Sequence, residues 1–218
     1  ITTAATCLDD QPADCSLRGA MFASNAMIGA DLIVLPEGLY QLTVPGTNED
    51  FALTGDLDVV GDLTIVAMTG THPVIQQLTD DRIFQPQGGS FGGSFTLIGP
   101  MTLLGGVASA TGRPASGGSI HARGNGSLTL EDVTVVGGSA AFDGGCIYFA
   151  PGAIVTPAAL ILEDVRISGC SAGHDGGGLF VQAGESSVSL QRVEIDSNQA
   201  ARLGGGVFIF GADVTSVV

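Results

Sequence analysis

Three stretches of this chain align on one another without a gap. They are SLTLEDVTVVGGSAAFDGGCIYF from Ser127, ALILEDVRISGCSAGHDGGGLFV from Ala159 and SVSLQRVEIDSNQAARLGGGVFI from Ser187. A weaker copy upstream ends in SGGSIHA, at Ser116 to Ala122. Each unit holds short alternating strands, such as Leu128-x-Leu130 and Val133-x-Val135, broken by Gly, Ser, Asp and Asn. No segment of this half has the i, i+3, i+4 spacing of a helix. A β-propeller blade needs about 40 or more residues per repeat, and a sandwich has no reason to repeat its sequence. Units of about 30 residues with paired glycines at one corner suit a coil of a parallel β-helix, each coil stacking on the next at ~4.8 Å. At such a corner every coil turns sharply in the same place, which excludes Cβ atoms and calls for positive φ. The expectation is an all-β, right-handed parallel β-helix, a solenoid of roughly seven coils with a short N-terminal helical cap.

The alignment assigns faces. Ile120, Ile147, Leu179 and Val207 are equivalent, as are Ala122, Phe149, Val181 and Ile209, and both sets should point into the tube. Between them stand His121, Tyr148, Phe180 and Phe208, which should point outward as an exposed aromatic column. Such a ribbon would receive a glycan or a protein surface, or be covered by a loop of the same chain.

Charge narrows the partners. The formal net charge is −15; all seven basic residues are Arg, against 22 Asp and Glu. Phosphate affinity comes from Lys and Arg, so nucleic acid is excluded as a partner. Apolar residues come in short runs, far below the roughly 18 that a transmembrane segment needs. The N-terminus lacks a basic stretch followed by an apolar one, so a signal peptide, if the protein had one, is expected to have been removed already. The four cysteines are even in number. Cys7 and Cys15 are spaced for a small disulfide loop, which implies an extracellular location, secreted or at the cell surface. Cys146 and Cys170 are not stacked equivalents, since the alignment sets Cys170 over Gly138 and Gly178 over Cys146. Both lie near one glycine corner, which leaves a second bridge open.

Residues 1–30 have a different texture, and residues 31–218 hold the coils. In CSLRGAMFASNA, Leu17, Ala20, Met21 and Ser24 recur at helical spacing behind Ser16 as N-cap. A short amphipathic helix here would plug the open end of the solenoid. With this opening, the run GDLD at Gly55, Asp56, Leu57 and Asp58, and Asp81, Arg82 and Phe84, the chain resembles the CSLREA-type secreted and cell-surface right-handed β-helix proteins. The residues that carry the resemblance also include Cys15, Ser16, Leu17, Arg18, Ala20 and Asn25. The downstream coils are similar to the Gly-Gly repeats of polymorphic outer-membrane proteins. The resemblance implies a β-helix on the cell surface or outside the cell, and implies no catalytic activity. Gly19 stands where that family usually has Glu.

Chemistry is sparse. Glu49, Asp50, Asp56 and Asp58 offer oxygens to a hard cation such as Ca²⁺. The competing reading is turn chemistry, each Asp bonding backbone beside Gly. Glu131/Asp132 and Glu163/Asp164 become Gln191/Arg192 one coil later, which relieves a stacked column of like charge, and Arg166 should lie beside Glu194. His121, Arg123 and Asp143 form the best enzymatic cluster, and Asn125-Gly126-Ser127 fits a glycosylation sequon. The last residues, from Gly206, follow those from Gly178 position for position and stop within a coil. Three functions compete. They are a structural or adhesion module binding glycan or protein through an extended face, a filament subunit stacked head to tail on copies of itself, and a polysaccharide lyase or hydrolase. No cofactor beyond Ca²⁺ is indicated.

Overall fold

The structure, a computed structural model, describes residues 16–47, 50–87, 93–109, 115–124, 126–152, 158–184 and 186–211, with the backbone of 216–217. It is a parallel β-solenoid. The longest path stacks Ala30–Leu35, Asp62–Ala67, Ser94–Leu104, Ser127–Val136, Ala159–Glu163, Ser187–Gln191 and Ser216–Val217. A second sheet stacks Leu57–Val59, Phe84–Pro86, Ile120–Gly124, Ile147–Pro151, Leu179–Gln182 and Val207–Phe210. A third holds four two-residue strands, from Val107–Ala108 to Gln199–Ala200. The gapless alignment is the register: Leu128 pairs Leu160, Ile147 pairs Leu179 and Leu179 pairs Val207.

The inward residues make one core along the tube, with Ile65, Leu97, Leu130, Leu162, Phe84 and Phe149 all fully buried. In the long strands the inward phase slips by one residue, from Leu128 and Leu130 to Val133 and Val135. The slip is absorbed by Asp132, whose φ is 54°; Asp164 and Arg192 take the same left-handed turn one and two coils on. Asp adopts this conformation more readily than most side chains, and the bend divides the sheet into two facets.

The paired glycines meet two separate demands. The first of each pair, Gly117, Gly144, Gly176 or Gly204, has φ between 62° and 70°. The second lies against the next coil's backbone. A Cβ on Gly145 would sit 2.2 Å from Gly177 O, and one on Gly118 2.3 Å from Gly145 O. No side chain fits in that gap. At the same corner a disulfide joins Cys146 to Cys170, with Cα atoms 5.5 Å apart.

Among the described residues one helix, α1 (Leu17–Asn25), covers the first coil. The Ser16 side chain accepts from Gly19 N, and Leu17, Ala20, Met21 and Ser24 are buried, as the spacing predicts. Two side chains tie α1 to the coil beneath. The Arg18 guanidinium donates to the carbonyls of Ala52 (2.9 Å), Gly55 (2.6 Å) and Asp56 (3.0 Å). Asn25 donates to Asp58 O at 2.8 Å and accepts from Val60 N at 2.9 Å.

Candidate functional site

Backbone register brings His121, Tyr148, Phe180 and Phe208 into one column on the outer side of the second sheet. Successive ring centroids are 4.8, 5.2 and 5.4 Å apart, and the planes lie within 18° of parallel. Strand spacing fixes the separation, so in-register aromatic side chains have no better arrangement than stacking. Toward α1 the same column turns polar, since Phe84 pairs Ile120 and Asp58 pairs Gln85.

The expectation of an exposed ribbon needs correction. His121 is 2% exposed and Phe180 8%, while Tyr148 and Phe208 are half-buried. Stacked rings cover one another's faces, so Tyr148 and Phe180 both lose their two faces and differ only in how far their edges are covered. His121 is also tied sideways, its Nδ1 lying 2.7 Å from Ser116 O. Partial exposure is left at Tyr148 and Phe208. Burial pushes the Tyr148 phenol above its usual range; Arg123 opposes the shift and Asp143 adds to it. A phenol is protonated across the neutral range even at its ordinary value, so the hydroxyl is available there as a donor.

Beside the column runs a ladder that the sequence reading did not identify. Ser116 Oγ accepts from Asp143 N (3.3 Å), Asp143 Oδ1 from Asp175 N (3.1 Å) and Asp175 Oδ1 from Leu203 N (3.0 Å). Each side chain before a glycine pair holds the corner of the following coil. The signal was Ser or Asp preceding Gly-Gly in three successive coils. Of the enzymatic cluster, His121 and Asp143 are thus both engaged in holding the corner, and Arg123 is exposed. One step outside the ladder, Phe142 meets His174 edge-on at 4.7 Å.

The carboxylates offered to Ca²⁺ separate into two networks of donors. Asp58, fully buried, accepts from Ala52 N (3.0 Å), Gln85 Nε2 (3.1 Å) and Gln87 Nε2 (2.8 Å). Gln87 also donates to Asp50 at 3.0 Å. Asp56 lies 3.6 Å from the buried Arg82 guanidinium, which is 3.5 Å from Asp81. Among the described residues no group of three or more His, Cys, Asp or Glu is placed to hold a metal ion. Glu49, Cys7, Cys15 and Asn125 lie outside the described residues. On the outer surface Arg192 forks onto Asp164 (2.6 and 2.8 Å) and reaches Glu163, which answers the stacked acidic pair. Arg166 pairs Glu194 in register, and its closer contact is Asp196 at 2.9 Å.

A cleft of about 340 Å³ separates residues 16–18 of the cap from residues 40–44. No helix among the described residues is long and apolar enough to cross a membrane. Comparison with protein-family models, with curated proteins and with solved structures returns no match.

Proposed function

We propose that the chain is a secreted or cell-surface structural and adhesion module, related to the CSLREA-type β-helix proteins, that binds a neutral glycan along the Tyr148–Phe208 column. The observation that carries this reading is the unbroken stack of four rings across adjacent coils. Ring edges carry the positive end of the aromatic quadrupole, and they line up with the oxygens of a sugar chain lying along the stack. Tyr148 adds a protonated hydroxyl as donor. A net charge of −15 disfavours acidic polysaccharides and leaves neutral ones. The Cys146–Cys170 disulfide supports an oxidising compartment.

Native electrophoresis through gels containing a soluble β-glucan or galactomannan tests the proposal. The chain should be retarded by at least one of them, and Tyr148→Ala or Phe208→Ala should weaken the interaction about tenfold, as loss of a central aromatic contact does. Retardation that survives both substitutions in a folded protein would refute this site.

A further inference from the structure

The outer face of the long sheet carries a second pattern. Leu32, Thr64, Thr96, Thr129, Ile161 and Ser189 occupy one column in consecutive rungs. Two residues further along each strand, Val34, Val66 and Ile98 form a parallel column; two residues back, Ser94 pairs Ser127. The side chains therefore make a grid of about 4.8 Å between rungs and about 6.7 Å along the strands.

We infer that this face binds the ordered water of an ice surface. Thr, Val and Ile are stiff at χ1, so hydroxyl and methyl positions are fixed before any partner arrives. The hydroxyls of Thr64, Thr96 and Thr129 make no hydrogen bond to the described residues, and the three side chains are half-buried. In a chain of net charge −15, these six positions and Val34, Val66 and Ile98 carry no ionisable group. Charges stand in the two flanking columns. Asp62 accepts from Ser94 N at 2.7 Å, and Glu131 and Glu163 continue the Val34 column. An uncharged central column matches an uncharged partner. The central column has no aromatic ring for a sugar to stack on and no ion for a peptide or phosphate to pair with. A second protein would bury the hydroxyls of Thr64, Thr96, Thr129 and Ser189 and need a matching donor or acceptor at each of those rungs. A lattice of water supplies one at each repeat. The face is distinct from the aromatic column, so this inference stands independently of the glycan reading.

Ice recrystallisation inhibition and thermal hysteresis of the purified chain test it, with serum albumin at equal concentration as the blank. The wild type should inhibit recrystallisation several-fold, Thr96→Arg should abolish the effect, and Phe208→Ala on the other face should leave it intact. Circular dichroism checks that each variant is folded. No inhibition by the wild type, or full inhibition by folded Thr96→Arg, would overturn the assignment. So would a chain without ice activity in which Thr96→Arg breaks a dimer or abolishes polysaccharide binding.

Discussion

Asp143 and Asp175 act across coils, each accepting a backbone N–H from the coil that follows. Asp143→Ala leaves Asp175 N without that acceptor and should cost about 1–3 kcal/mol, read from the urea unfolding midpoint. Arg18 has a wider reach, with three carbonyls on one guanidinium. Hydrogen bonds from a charged group contribute about 1.5–3 kcal/mol each, so Arg18→Ala should destabilise the cap more than Asp143→Ala weakens its corner. An equal or smaller loss in the same titration would contradict the clamp. Neither role was read from the sequence, although Ser or Asp before Gly-Gly recurs in three successive coils. The residue types were conspicuous, but their partners lie on other coils and depend on corner geometry that strand periodicity does not encode. By contrast Ser16, Leu17, Ala20 and Met21 act within one helix, and their spacing alone gave the cap.

At the scale of the element, the corner is held by glycine packing, the Asp ladder and the disulfide together. Cys146 and Cys170 are 24 residues apart, a loop whose closure stabilises by about 3 kcal/mol. The double substitution to Ser should lower stability by about that amount in denaturant titrations, and no change would mean that the corner is already fixed without it. The outer rows respond to pH. Hydrogen bonding to Arg192 lowers the Asp164 pKa, and hydrogen bonding to Ser197 and then Arg166 lowers that of Asp196. Both folded pKa values lie below the unfolded ones. The stabilisation is therefore present at neutral pH and is lost as pH falls through the folded values, below about pH 4. Asp164 is exposed and Asp196 partly so, so the effect is small and screened by salt. Melting temperatures measured down to about pH 3 in low salt should fall less steeply for Arg192→Gln than for the wild type. Identical slopes would show that the fork contributes nothing.

For the whole molecule, repetition made the architecture readable. Residues that align in sequence pair in space, so core columns, the aromatic stack and the outer row at Arg166 followed from one alignment. Exposure did not follow, because alternation tells which face a ring takes and not what neighbouring rings and corners cover. His121 and Phe180 are the instances, in register as expected and yet buried. Function is the least legible level, since the outer faces carry binding patterns without a reactive constellation, and each face has its own test.

The most direct test of the glycan-binding column uses the composition itself. The chain has no Trp and only two tyrosines, so in Tyr40→Phe the emission comes from Tyr148 alone, within the stack. Titration of that variant with the polysaccharide that retards it in gels should change the tyrosine fluorescence saturably, and Phe208→Ala should weaken the response. Retardation in gels with an unchanged Tyr148 signal at saturating polysaccharide would place binding elsewhere and contradict the account.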